Sequence, residues 1–441
     1  MEIIKEPDLN IIKHLNSISI VNNNTESNRK SIYCIEEIEN DKCLIYNTLT
    51  CELIVIDIAE LQSFYQSDFA AKHYFTVNSE FDEYQSTKRI KTLLSAAKET
   101  LSKFVILTTT DCNARCYYCF EKGHQNHCYM STETALRLAD YICSRVYDPE
   151  TIHLSWFGGE PLLNVNAIDI ICKECSKNNK KFYSSMITNG LLFDKSIIEQ
   201  ASNIWNLKWV QITIDGTEQV YNKTKKYIDY IGNPFYTVLD NIELLIDQGI
   251  HVLVSLRVSE LNGDSLLELV DILMDRFGKF KRFSVMCAAI HEKNAGMESR
   301  RDLASERNVR GYQKEIIKRS FQYGIYSPKL PSKFRAHHCN SDSGKEIIIL
   351  PSGEIGWCNN YLDTNYIGDI RKQDLNNEKI RLFKERYPDL KECCVCPMYP
   401  QCTRLKICDG STPWCSKEQQ EVIRYSLSLA MKNEYAIFQK K

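Results

Sequence analysis

FVILTTTDCNARCYYCF, residues 104–120, is the stretch on which the fold turns. Its first seven residues are an apolar and β-branched run without helical period, as a buried strand requires. The polar run that follows sets Cys112, Cys116 and Cys119 on one short loop at C-x3-C-x2-C spacing. Three thiolates so placed can hold three irons of a cubane cluster and leave the fourth without a protein ligand, open to a small chelating molecule. A zinc knuckle is the competing explanation. Structural zinc takes four protein ligands, and His124 or His127 could supply the one missing from the loop.

Outward from this stretch the same kind of strand recurs at 151–157, 181–188, 208–215, 251–259 and 281–288. Helical patterns fall between and after them, at 132–147, 165–178, 195–203, 235–248 and 263–277. Regular βα alternation predicts an α/β fold with a parallel sheet, and six units predict a partial (β/α)6 TIM-like barrel over 101–297. Active sites in such folds lie at the C-terminal ends of the strands. Residues just after Thr110, Phe157, Thr188 and Asp215 are therefore expected to share one mouth.

Upstream, residues 31–58 alternate apolar and polar like a strand pair, with Asn40-Asp41 as the turn, and helices are expected at 58–65 and 87–100. Residues 1–100 read as a small N-terminal α+β module. Downstream, a charged linker helix is expected within 298–335. From 336 to 418 the chain is cysteine-dense and turn-rich, with too little apolar sequence for a core without metal or disulfide staples. A helix from about 417 to 432 closes the chain, within a C-terminal segment at 419–441.

Composition narrows the function. The 441 residues are 43% hydrophobic with a formal net charge of -2, ordinary for a globular protein of two or three domains. Near-neutral charge argues against nucleic acid as a partner. The basic runs at 177–181 and 223–226 read as solvated helix ends or loops. The N-terminal MEIIKEPDLN lacks the basic and apolar regions of a secretory signal, and no apolar run approaches the roughly 20 residues of a membrane span. A cytoplasmic protein without membrane contact is expected. Nineteen cysteines in a reducing compartment then point to metal or catalysis.

The cysteine spacing, the aromatic Tyr118 before the last thiol and the position after strand one together resemble the radical S-adenosylmethionine superfamily. SWFGGEPLL supports this at the next strand end, where Gly158, Gly159, Glu160 and Pro161 match the family's glycine-glycine-glutamate-proline motif. That motif receives the amino group of the cofactor's methionine moiety. Glycines permit close backbone approach, and Glu160 can accept hydrogen bonds from an ammonium. ITNGL at 187–191 and ITIDG at 212–216 resemble family segments that line the cofactor site. Thr213 stands where relatives often carry a serine near the cofactor carboxylate, and Arg257 could pair with that carboxylate. An interior threonine and a strand-end ion pair explain these two residues equally well. The resemblance implies S-adenosylmethionine and a 4Fe–4S cluster that, once reduced, cleaves the sulfonium to methionine and a 5′-deoxyadenosyl radical. Either a flavodoxin or a ferredoxin is the expected reductant. Asp215 and Glu160 are nearby carboxylates, without an assignable role as a base.

In the tail, Cys339, Gly353-x4-Cys358, Cys393-x2-Cys396-x5-Cys402, Cys408 and Cys415 resemble the SPASM extension of peptide-modifying members. By that resemblance Cys393, Cys396, Cys402 and Cys415 enclose one auxiliary cluster, and Cys339, Cys358 and Cys408 hold another. This makes three 4Fe–4S clusters in all. Relatives that fully ligate the second auxiliary cluster carry a cysteine six positions after the first, which here is Lys345. An open iron is expected there, with Cys394 as a substitute that its neighbour Cys393 disfavours. A pair of zinc sites is the alternative for the tail. Most of the other cysteines, including the pair Cys172 and Cys175 inside a predicted helix, are expected to be buried apolar residues.

Auxiliary clusters of this type accompany peptide or protein substrates. The resemblance implies a maturase that forms a thioether or carbon–carbon crosslink in a ribosomally made precursor peptide, or a sulfatase-maturing enzyme that makes formylglycine. The latter carry an aspartate after the G-x4-C cysteine; here it is Asn359, which cannot take a proton. Crosslinking is favoured. The N-terminal module is expected to capture a leader peptide along a strand edge or to cap the barrel. A non-catalytic iron–sulfur or zinc protein with a degenerate barrel is the remaining alternative, against which the intact 158–161 motif argues.

Overall fold

Strands covered on both faces must be apolar almost throughout, and helices laid over them need one apolar stripe each. The chain's six βα units meet both demands. The computed structural model describes residues 1–18, 28–97, 99–119, 121, 127–147, 150–290, 303–337, 339–358, 366–372, 375–384, 389, 391–402 and 416–440. Its strands in chain order are β1 (Glu2–Lys5), β2 (Asn28–Lys30), β3 (Cys34–Glu39), β4 (Lys42–Asn47), β5 (Glu52–Asp57) and β6 (Thr76–Asn78). The barrel follows as β7 (Lys103–Leu107), β8 (Ile152–Phe157), β9 (Phe182–Thr188), β10 (Leu207–Ile214), β11 (His251–Val258) and β12 (Phe283–Ala289). Three more are β13 (Glu346–Ile349), β14 (Glu354–Gly356) and β15 (Tyr366–Asp369).

β7 to β12 pair in sequence order, all parallel, and the sheet stays open at β12. One face of each strand meets the helices: Phe104, Leu154, Val210 and Val254 join Leu138, Ile168, Val238 and Leu269 in one apolar core. The helices Lys195–Asn203 and Gly263–Phe277 begin and end where the sequence predicts them. Ser131 and Asp194 cap their helices by accepting the Thr134 and Ile197 N–H groups. On the sheet's other face His153 Nε2 lies 2.8 Å from Ser185 Oγ, which donates to Ser155 Oγ at 3.3 Å.

The free edge of β7 is taken by β13 in parallel register, Glu346 beside Lys103, and β14 and β15 extend the sheet antiparallel. The tail thus begins as part of the barrel sheet. The charged segment expected as a linker is the helix Leu303–Gln322, and it is packed down, with Val309 and Ile316 fully buried.

The N-terminal module holds the sheet β1-β5-β4-β3, and Asn40 turns the β3–β4 hairpin at φ 56°. Leu44, Tyr46, Leu53 and Val55 pack under Leu427, Ala430 and Met431 of the closing helix Lys417–Phe438. Cys43, Ile45, Ile54 and Ile56 pack on Phe64 and Phe75. Tyr399, Cys393 and Cys396 of the tail share a core with Ile11, Leu15, Tyr33 and Tyr84. The cysteine-dense region therefore borrows its core from the first hundred residues.

Candidate active site

β7 ends at Leu107, and its continuation crosses the mouth as the loop that bears Cys112, Cys116 and Cys119. The segment after β8 is bonded directly to that loop: Gly159 N–H donates to Thr109 O at 3.1 Å and Glu160 N–H to Asp111 O at 2.8 Å. Gly158 holds φ +118°, and a Cβ there would stand 2.3 Å from Thr109 O. At Gly159 it would stand 2.1 Å from Asp111 O. The sequence reading gave these glycines close backbone approach to the cofactor; the close approach present here is to the cysteine loop's own main chain.

Glu160 is fully buried and joins two strand ends. Its carboxylate accepts the Thr188 hydroxyl at 2.7 Å and the Leu162 N–H at 3.2 Å on one oxygen, and the Asn189 N–H at 2.9 Å on the other. Burial still raises its pKa. Pro161 starts the short 3-10 turn that follows. Asn189, from the ITNGL segment, reaches back to the loop and donates to Asn113 Oδ1 at 2.6 Å. Three strand ends and the cysteine loop form one hydrogen-bonded unit.

A fourth strand end brings charge. Asp215, fully buried after β10, accepts the Tyr118 hydroxyl at 2.6 Å and pairs with Lys225 at 3.2 Å. Lys225 ends the helix Glu218–Lys225; its side chain is 3% exposed, and its carbonyl accepts the Arg115 N–H at 2.8 Å. Burial alone would lower its pKa, but Asp215, Tyr118 and Cys116 hold the ammonium well above its ordinary value. The sequence reading placed this basic run in solvent; Lys225 corrects it. A lysine in a K-x-K-K run carries no local sign of burial, and its partners lie 107 and 10 positions away.

Burial is the first cause that pushes the Cys112 thiol up to about 12, with Glu160 and the two other cysteines adding to it. Cys119 is raised to about 11 and Cys116 is raised, both by burial first, with Lys225 opposing the shift at each. Three thiols on one loop would bind a cationic iron core as thiolates, with release of their protons. His127, a candidate fourth zinc ligand, is mostly exposed and pairs with Asp111 at 3.0 Å; His124 lies outside the described residues. Among the described residues no three Cys, His, Asp or Glu side chains form a site for a single metal ion.

Thr213 is half-buried on β10, level with Ser255 of β11, whose buried hydroxyl has no hydrogen-bond partner among the described residues. Arg257 is half-buried on β11, level with Ala288, and its charge is felt at Cys287. The cation beside the cysteine loop is Lys225. In the tail, Cys339 caps the helix Asn340–Ser343, and Cys358 follows β14. Cys402 offers its carbonyl to Lys91 at 3.4 Å, and Cys394 is exposed. Cys172 and Cys175 are fully buried in the barrel core, as expected. Cys408, Cys415 and Asn359 lie outside the described residues.

A parallel α/β sheet with a three-cysteine loop after its first barrel strand, braced by a GGEP turn, defines a class, and residues 106–275 match the Radical SAM superfamily. The barrel has the radical S-adenosylmethionine fold, with the family match lying within it. Over 291 residues the chain is 25% identical to an uncharacterized protein of Methanocaldococcus jannaschii, covering 65% of this chain and 94% of that one. Over 352 residues it is 22% identical to the cysteine-type anaerobic sulfatase-maturating enzyme of Clostridium perfringens, covering 73% and 92%. Among solved structures, native anSMEcpe with bound AdoMet superposes at TM-score 0.59 and 15% identity, over 77% of this chain and 99% of that one. Streptococcus suis SuiB bound to precursor peptide SuiA superposes at 0.51 and 14%, over 85% and 94%. The chain shares the fold of both, and it is related in sequence to the sulfatase maturase. Among the described residues no helix is long and apolar enough to cross a membrane.

Proposed function

We propose that this chain is a peptide maturase in which Cys112, Cys116 and Cys119 hold the radical-generating 4Fe–4S cluster, and the tail cysteines hold two auxiliary clusters. The observation that supports this reading is the attachment of β13 to β7: one sheet has the Cys112–Cys119 loop at its mouth and, at its edge, a hairpin preceded by the Cys339 helix and followed by Cys358. When bound, the reduced cluster and S-adenosylmethionine supply a 5′-deoxyadenosyl radical that takes a substrate hydrogen.

The chain's own residues orient and enclose that chemistry. Glu160 and Asn189 fix the loop to β8 and β9, and Gly158 and Gly159 let the GGEP turn lie flush against it. Lys225 sets a buried positive charge beside Cys116, where it would stabilise an anionic cluster–thiolate core. Asp215, held by Tyr118 and Lys225, braces this arrangement.

The substrate we propose is a ribosomally made precursor peptide, and the product a thioether or carbon–carbon crosslink. The SuiB structure with its precursor peptide, covering 85% of this chain, supports a peptide of that class. Lys345 and Asn359 stand where formylglycine-forming relatives carry a cysteine and an aspartate, and both replacements disfavour that outcome. The sulfatase-maturating relative, matched over 73% of this chain, keeps formylglycine formation as the second reading. The N-terminal sheet, with β3 on its edge, is the proposed leader-peptide dock, and a flavodoxin or ferredoxin the proposed reductant. Mass spectrometry of a precursor peptide incubated anaerobically with the reduced enzyme and S-adenosylmethionine tests the assignment. Loss of two hydrogens with sulfur retained supports crosslinking; conversion of a cysteine to an aldehyde supports formylglycine formation and removes it.

A further inference from the structure

Away from the mouth and the tail, two nucleophilic side chains meet that the reading above does not use, Cys143 and Cys175. Cys143 lies in the last turn of the helix Thr132–Arg145, and Cys175 in the last turn of the helix Val165–Lys177. The two helices pack on each other, with Leu138 and Ile142 of the first in one core with Ile168 and Ile171 of the second. Lys180 clasps their ends together. Its N–H donates to Cys175 O at 3.0 Å, and its ammonium donates at 2.7 Å to the carbonyl of Val146, the residue that ends the first helix. Spacing in the sequence joins Cys175 to Cys172; the fold joins it to Cys143 on the neighbouring helix.

The two thiols are hydrogen-bonded to each other, and they are not equivalent. Cys175 is fully buried, whereas Cys143 is partly exposed. Its bond with Cys175 and the Lys180 ammonium hold the Cys143 thiol below its ordinary value, against burial and the carboxylates of Asp140 and Glu174. The same bond, and then burial, hold Cys175 well above it. Burial alone gives the opposite result for a thiol: Cys34, Cys43, Cys51 and Cys287 are all pushed up, with burial the first cause at each. An accessible, more acidic thiol over a buried, reluctant one is the arrangement that thiol–disulfide exchange requires, the first to attack and the second to resolve.

We propose that Cys143 and Cys175 form a reversible dithiol–disulfide site, oxidised by a low-molecular-weight disulfide of the glutathione class. The Cys143 thiolate attacks one sulfur of that disulfide, breaking its S–S bond, forming a mixed disulfide and releasing one small thiolate. The Cys175 sulfur then attacks the Cys143 sulfur, forming the protein S–S bond and expelling the second small thiolate. The two small thiolates take up the protons of Cys143 and Cys175, so the dithiol is oxidised as the small disulfide is reduced to two thiols. Excess small thiol runs the exchange backwards. The closed bond ties together the two helices that follow the cysteine loop and the GGEP turn. None of this depends on the cluster assignments. The alternative is a pair of core thiols that stay reduced.

The test is peptide mapping of the anaerobically reconstituted full-length holoprotein after equilibration with mixtures of reduced and oxidised glutathione. Samples are quenched in acid and alkylated in denaturant before digestion, and iron is measured alongside. The expected result is a Cys143–Cys175 disulfide, two hydrogens lighter than the dithiol, that forms with iron content unchanged and reopens as reduced glutathione is raised. The closed protein should also show a higher Tm than the open one. Cys175→Ser should stop at a mixed disulfide between Cys143 and glutathione, and Cys172→Ser should still close the bond. Lys180→Met should slow native-state alkylation of Cys143 by iodoacetamide, by about 3–10-fold. Cys143 and Cys175 recovered as alkylated thiols across the whole glutathione series, or Cys175 recovered in a bond with Cys172, overturns the inference.

Discussion

The barrel mouth and the hairpin foot each gather cysteines, and they do so by different means. At the mouth, main-chain and side-chain bonds from four strand ends hold one loop, with Glu160, Asn189 and the Asp215–Lys225 pair all buried around it. At the foot, Cys339 and Cys358 come from separate segments, one before and one after a two-strand hairpin. The mouth's loop is held by bonds among the chain's own residues. The foot depends on a hairpin that docks by β13 along β7, and on a tail whose core is shared with Ile11, Leu15 and Tyr33. A preformed loop suits a cofactor that must bind, react and leave. A centre assembled from distant segments suits a resident group that adds to folding stability.

Substitutions at the two ends should therefore fail differently. The largest effect is expected for Cys112/Cys116/Cys119→Ala. Iron analysis should show about 4 of about 12 irons lost per chain, with the fold intact and turnover at background. Equal loss from both ends would mean that the mouth is not independent. Lys225→Met comes next, because it strands Asp215 in the interior: thermal denaturation should reveal about 3–5 kcal/mol of lost stability. Adding Asp215→Asn should restore most of that stability without restoring S-adenosylmethionine affinity, which separates the cation's role in binding from its role in folding. Either Cys339→Ala or Cys358→Ala should spare uncoupled S-adenosylmethionine cleavage while peptide product falls by about 10–100-fold. A parallel fall in cleavage would join the two ends into one functional unit. Smallest is Glu160→Gln, which presents an NH2 group to donors: about 1–3 kcal/mol of stability, read by denaturant titration, and a raised KM for S-adenosylmethionine.

The mouth was far more legible in the sequence than the foot. β8 to β12 fall within two residues of their expected places and β7 ends three residues early, because strands buried on both faces are written as apolar runs. The cysteine loop and the GGEP turn are contiguous motifs at strand ends, so their neighbourhood followed from strand order alone. Asn189 gained its reach to Asn113 only from the fold, although ITNGL had marked its segment. Lys225 was misread because nothing local distinguishes a lysine that ends a helix in solvent from one that ends it against Asp215. Among the helices that went unseen, Leu9–Ile18 and Glu218–Lys225 are short, and the second carries five charges or amides among its eight residues. The pairing of 103–106 with 346–349 has no local signal whatever, since it joins residues more than two hundred positions apart.

The most direct test of the account is reductive cleavage of S-adenosylmethionine by the anaerobically reconstituted full-length protein. 5′-Deoxyadenosine and methionine are quantified together, with the Cys112/Cys116/Cys119→Ala protein alongside. We predict that both products form in equal amounts under reduction, with iron at the mouth, and that neither forms in the variant. Cleavage that survives the variant, or a parent protein that takes up zinc in place of iron and releases no 5′-deoxyadenosine, would contradict the assignment of the mouth as a radical centre.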